Sequence, residues 1–140
     1  MSDIKIFENK KVRSHWDAER ETWFFSVIDI IEILTGSTIP KRYWADLKKK
    51  LTKEGSQLYE KIVQLKFEAS DGKKYATDCL DIPNLLRLIQ SIPSPKAEPF
   101  KQWLAKQFDV KTKTFEQKAR EEDQVERRKS AAENRKWGGQ

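Results

Sequence analysis

The stretch Thr22-Trp-Phe-Phe-Ser-Val-Ile-Asp-Ile-Ile-Glu-Ile-Leu-Thr35 restricts the fold more than any other. Thr22–Phe25 is aromatic and β-favouring, and suits a strand. At Ser26 the spacing changes. Val27, Ile30, Ile31 and Leu34 fall on one helical face, and Ile28 and Ile33 widen it. Ser26 is the expected N-cap, and Asp29 favours the positive end of the helix dipole. Only Asp29 and Glu32 mark a solvent side, so this helix is expected to be mostly buried. Gly36 is its stop signal. A strand that feeds straight into a buried helix points to a mixed α+β architecture.

The following stretch, Pro40-Lys-Arg-Tyr-Trp-Ala-Asp-Leu-Lys-Lys-Lys-Leu-Thr-Lys53, reads as a second helix. Ser37 and Thr38 are its capping candidates, and Pro40 suits a first turn that needs no backbone donor. At about 100° per residue, Tyr43, Trp44, Leu47 and Leu51 share one arc, and Arg42, Lys49 and Lys53 the opposite one. Lys48 and Lys50 flank the apolar stripe, with stems long enough to snorkel past it. Lys41, Arg42, Lys48, Lys49, Lys50 and Lys53 face a single acid, Asp46. Such a helix is pinned by aromatics and carries a cationic back, as contact with phosphates requires. A solvated lysine-rich face is the alternative. Gly55 ends this helix. Two helices so joined invite a helix-turn-helix reading, although the link looks longer than the usual three or four residues.

Around this pair the chain alternates between strand and helix signals. Residues 4–7 and Val12–Trp16 read as strands, with a turn at Asn9-Lys10-Lys11 and Val12, Ser14 and Trp16 on one side. Asp17–Glu21 is a polar connection, and Thr22–Phe25 completes a small antiparallel sheet. In Ile62–Glu68, Val63, Leu65 and Phe67 oppose Ile62, Gln64, Lys66 and Glu68. Asp71-Gly72 is a hairpin turn, and Lys73–Cys79 is the returning strand. Lys66, Lys73 and Lys74 put positive charge on its tip and outer face. Asp81 and Pro83 open a helix with the core stripe Ile82, Leu85, Leu86, Ile89 and Ile92, and Arg87 is expected to point away from it. Ser94-Pro95 opens the next helix, with Phe100, Trp103 and Leu104 inward. Pro99 must sit in its first turn. The fold class is α+β: a small sheet and a β-hairpin packed with about four helices.

Residues 1–107 therefore read as one domain. Residues 108–140 change character and read as a charged tail, either a solvated fraying helix or a disordered segment. Its small basic clusters, Arg127-Arg128-Lys129 and Arg135-Lys136, are offset by Glu121-Glu122-Asp123.

The charge balance favours an acidic partner. Lys and Arg number 28 against 22 Asp and Glu, for a net charge of +6. The single cysteine, Cys79, has no internal disulfide partner, and no signal-peptide core is evident, so a reducing cytoplasm is expected. The longest apolar run, Val27–Leu34, is too short and too interrupted to cross a membrane.

Little in the chain points to catalysis. His15 and the distant Cys79 do not suffice for a metal site. No histidine is placed to activate Cys79, so a buried inert thiol is expected there. The carboxylates show no metal-nuclease spacing, and Asp71-Gly72-Lys73-Lys74 lacks the glycine pattern of a phosphate loop. Trp16, Trp23, Phe24 and Phe25 have the chemistry to stack on bases. Their place in strands beside a buried helix favours core packing instead. No catalytic residue, cofactor or metal is expected.

Trp23–Thr35, followed by Arg42-Tyr-Trp-Ala-Asp-Leu-Lys-Lys49, resembles the amino-terminal domain of the BRO family. So do Leu58–Lys66 and Asp71-Gly-Lys-Lys-Tyr-Ala-Thr-Asp78. Leu86–Ala105 is similar to the bacterial and prophage members, which are described as prophage antirepressors or grouped with DNA-damage-inducible protein D. The likeness spans roughly residues 4–107, and the tail after Phe108 departs from the bacterial pattern. It implies a compact α+β module that binds DNA, attached to variable carboxyl-terminal regions, with no agreed catalytic residues.

Two functions are expected from these readings together. The first is a non-enzymatic DNA-binding domain of a phage or prophage regulator. Arg42, Lys49 and Lys53 would contact phosphates, with Lys41, Lys48 and Lys50 beside them, Lys73 and Lys74 as a second contact, and Arg127, Arg128 and Lys129 as a mobile arm. The second is a protein-interaction module. Its basic face would meet a repressor or a DNA-repair or recombination protein, and its tail would fold on binding.

Overall fold

The computed structural model describes residues 2–108 and 120–130. Strands β1 (Ser2–Phe7), β2 (Lys10–Asp17) and β3 (Thr22–Ser26) form an antiparallel meander. Phe7 pairs with Lys10, so the first turn is Glu8-Asn9 and not residues 9–11. Both turn residues have positive φ, 45° and 66°, the twist that suits a two-residue hairpin. β4 (Val63–Glu68) and β5 (Lys74–Asp81) form the expected hairpin. β5 also pairs with β3, placing Phe25 opposite Leu80. Meander and hairpin are therefore one five-stranded sheet, in the order β1-β2-β3-β5-β4.

The sheet has two apolar faces. Phe25 and Leu80 enter the main core with Val12 and the helices. Phe24, Phe67 and Cys79 form a smaller buried cluster, joined by Val63 and Leu65. The alternation of β4 is the expected one, and Phe24 and Phe25 are core residues. Trp16 and Trp23 are half-buried, with ring centroids 5.6 Å apart.

β3 runs directly into α1 (Val27–Thr35), whose Val27, Ile30, Ile31, Ile33 and Leu34 are buried. Gly36, at φ 69°, closes the helix by donating its N–H to Glu32 O. Ser26 holds the expected N-cap position, without a capping bond; its Oγ accepts from Arg13 Nη2 at 3.2 Å. Asp29 lies in the first turn as expected, but it does not face solvent. It accepts from the backbone N, Nε and Nη2 of Arg13 at 2.9, 2.9 and 3.0 Å. The first turn of α1 is thereby tied to β2.

α2 (Pro40–Lys53) spans the residues expected of it. Its link to α1 is Gly36–Ile39, four residues, and so within the usual helix-turn-helix range. The capping expectation fails here. Ile39 holds the N-cap position, and Ser37 Oγ accepts from Ile39 N at 3.1 Å, bracing the link instead. A 3-10 turn, Leu58–Lys61, precedes the hairpin.

In α3 (Ile82–Gln90) the Asp81 side chain caps Asn84 N at 3.3 Å. The core stripe is buried as expected, but Arg87 is buried as well and does not point away. α4 (Ala97–Phe108) starts after the Ser94-Pro95 turn, with Pro99 in its first turn. Phe100 packs edge-on against Phe7, with ring centroids 5.4 Å apart. Residues 120–130 are helical and contact the domain through Gln57 and Arg87. No helix among the described residues is long and apolar enough to cross a membrane.

Candidate nucleic-acid interface

The amphipathic spacing of α2 decides its orientation. Trp44, Leu47 and Leu51 are buried and Tyr43 is half-buried. Polar contacts then fasten the helix to the hairpin. Trp44 Nε1 donates to Asp78 Oδ2 at 2.8 Å, and Lys48 Nζ donates to the same oxygen at 3.1 Å. Gln64 Nε2 takes the other oxygen at 3.0 Å. Burial alone would raise the Asp78 pKa. The donors from Gln64, Trp44 and Lys48 more than offset it, so the carboxyl sits below its ordinary value. Lys48 also lies 5.2 Å from the Trp44 ring centroid.

Lys48 is therefore half-buried and engaged inside the domain, unlike its neighbours. Lys41, Arg42, Lys49, Lys50 and Lys53 are exposed, and none forms an ion pair among the described residues. Asp46 is exposed on the same helix.

Of the grooves that border α2, one is lined by Tyr43, Asp46, Leu47 and Lys50 and faces Ser91 and Pro93. Two bear on the expected site. An open one of about 480 Å³ runs along its carboxyl-terminal half, lined by Lys48, Lys49, Thr52, Lys53 and Tyr59. The other, of about 470 Å³, lies between the helix start and the hairpin, with Lys41, Trp44, Tyr75 and Asp78 in its walls. The hairpin loop at that end is tight. Ala69 N donates to Lys73 O at 2.8 Å, Lys73 N donates to Asp71 Oδ1 at 2.8 Å, and Gly72 has φ 82°. Lys73 and Lys74 are exposed there, but neither lines the groove. Tyr75 Oη donates to Asp71, which holds that carboxyl below its ordinary value.

The three basic residues placed in the tail have different fates. Arg127 is half-buried and pairs with Asp123 at 2.9 Å and Glu54 at 3.3 Å. Arg128 and Lys129 are exposed. Lys129 shares a small cavity with Thr52 and Tyr59, beside the carboxyl-terminal end of α2. Arg135 and Lys136 lie outside the described residues.

Asp78, Tyr59 and Tyr75 belong to the surroundings of α2, and none was picked from the sequence. The Trp44–Asp78 contact spans 34 residues, so no local pattern announces it. Exposed tyrosines leave no periodic signal. Elsewhere, Cys79 is buried and its thiol is pushed up to about 12 by desolvation, far from a nucleophile at neutral pH. His15 is half-buried on β2. Among the described residues no three His, Cys, Asp or Glu side chains gather into a metal site.

No curated protein and no solved structure matches the chain. The BRO family, N-terminal domain, matches residues 11–110, which run from β2 through α4 and include α2 and both grooves. The chain belongs to the BRO family and carries its N-terminal domain.

Proposed function

We propose that the domain binds DNA through the outer face of α2, as a non-enzymatic module of a phage or prophage regulator working in the cytoplasm. The BRO N-terminal domain is generally linked to DNA binding and phage antirepression. The observation that carries the reading is the set of five exposed cations without ion pairs among the described residues, Lys41, Arg42, Lys49, Lys50 and Lys53, on one helix whose other face is locked in the core. Cations left without acids have counterion release to offer a polyanion. Lys48 is left out of this set because Asp78 holds it.

The four-residue link between α1 and α2 supports a helix-turn-helix-like presentation, with Arg42 near the start of the second helix as the candidate for base contact. Lys73 and Lys74 on the hairpin tip form the second phosphate contact. Charge reversal at Arg42, Lys49 and Lys53 together tests the assignment by fluorescence anisotropy. Unchanged affinity in a folded triple variant removes the site. A repressor or recombination protein retained by the wild type after nuclease treatment, and lost by the variant, favours a protein partner for the same face.

A further inference from the structure

We propose that Arg87, the Gln57 amide and the Gly55 bend form a docking site for an acidic helix, which residues 120–130 occupy as an exchangeable ligand. The same segment of a second copy would enter it in trans. The Arg87 side chain is 1% exposed, a permanent charge placed among core residues of α3. Its own helix supplies one acceptor, Asn84 Oδ1 at 3.3 Å from Nη1. The carboxylates come from residues 120–130. Glu122 lies 3.8 Å from Nη1, Asp123 lies 3.6 Å from Nη2, and Glu126 accepts directly from Nη2. Nε is buried without an acceptor.

Spacing and shape select the occupant. Glu122, Asp123 and Glu126 fall on one side of a helix at the spacing i, i+1, i+4. Glu126 also accepts from Gln57 N at 2.9 Å, so one carboxylate answers both Arg87 and the turn after α2. Ser130 closes on Gly55, where an added Cβ would lie 2.7 Å from Ser130 Cβ. Arg127 pairs with Glu54 at 3.3 Å on the flank.

What is missing from the contact matters as much. Val125 is the one large apolar residue in 120–130, and it is 48% exposed. The segment is held by ion pairs and hydrogen bonds and buries little oil. Such a contact can be released and remade without opening the hydrophobic core. Exchange of an identical element between copies is a low-cost route to a dimer.

The full-length variant E122Q/D123N/E126Q leaves the site without its own carboxylates. A fluorescent peptide of residues 118–132 is then titrated against it by anisotropy. The peptide should bind this variant at least about tenfold more tightly than the wild type, whose tethered segment competes at an effective concentration of order millimolar. Added salt should weaken the binding. Adding Arg87→Met to the variant should abolish it, and a peptide with the three acids neutralised should not bind. Equal affinity for both chains, or no binding to a variant with native circular dichroism, overturns the proposal.

If the variant does not fold, the wild-type chain with a protease site inserted between residues 109 and 119 replaces it. After cleavage the segment should co-elute with the domain and be displaced by excess peptide. A segment that resists displacement, or leaves with no change in Tm, overturns the proposal equally.

Discussion

Trp44 and Asp78 meet through an indole N–H···carboxylate bond of 2.8 Å, and that bond ties the basic helix to strand β5 of the sheet. Lys48 and Gln64 complete the set of donors around the same carboxylate. The Asp78 side chain is 13% exposed, so its charge is worth more there than at the surface. The donors of Gln64, Trp44 and Lys48 hold its native pKa below the ordinary carboxylate value, and the unfolded chain therefore binds the proton first. The stability it contributes is present above the unfolded pKa and lost as pH falls through the native one. Asp78→Asn should cost about 1–2 kcal/mol at neutral pH, because charge-assisted bonds become neutral ones. Denaturant unfolding followed by tryptophan fluorescence should show that gap narrowing below about pH 4. A gap that widens in acid contradicts this role for Asp78.

Lys48 and Lys49 are adjacent in the chain and should behave as opposites. Lys48 serves Asp78 and the Trp44 ring, whereas Lys49 is exposed and without an ion pair among the described residues. Lys48→Met should lower the denaturation midpoint and leave DNA affinity nearly unchanged. Lys49→Met should leave the midpoint within about 0.5 kcal/mol of wild type and weaken DNA binding. The two substitutions exchanging these effects would show that the contacts have been assigned to the wrong lysine.

Binding to duplex DNA should follow salt. If about five phosphates are neutralised, log affinity should fall against log salt with a slope of roughly −4 to −5. Replacing Arg42, Lys49 and Lys53 with Glu should reduce the steepness by about 2 to 3, with Lys49 and Lys53 contributing for every sequence tested and Arg42 contributing the third only where it meets a phosphate. Anisotropy at several salt concentrations measures this. An unaltered slope in the triple variant places the phosphate contacts elsewhere.

Gly55 and Gly36 offer a matched comparison. Both have left-handed backbones, φ 91° and φ 69°. A Cβ at Gly36 meets nothing within 4 Å, but at Gly55 it meets Ser130. Gly36→Ala should cost about 1–2 kcal/mol from backbone strain alone. Gly55→Ala should cost more, and the excess should vanish when Ser130→Gly is added. Equal losses for the two single variants would separate Gly55 from the segment 120–130.

The parts of the fold that were legible in advance are those written within one or two turns of chain. The bounds of α2, the left-handed stop at Gly36, the β4–β5 hairpin and the Asp81 cap each depend on neighbours a few residues away. The misreadings of charge share one cause. A charged residue beside an apolar stripe looks solvated until a distant segment supplies its counter-charge. Asp29 meets Arg13 across 16 residues, Lys48 meets Asp78 across 30, and Arg87 meets Glu126 across 39. Ser26 and Ser37 show the same limit for capping bonds, since a serine that can cap a helix can as well serve an arginine or brace a link.

By itself the sequence determined which stretches are helices and strands, which faces are apolar, and that α2 carries an excess of cations, because periodicity and propensity act locally. Tertiary structure alone decided which of those charges are spent inside the domain and which stay exposed. That division follows from which elements the chain brings together, and a carboxylate attracts a cation through space whatever the length of chain between them.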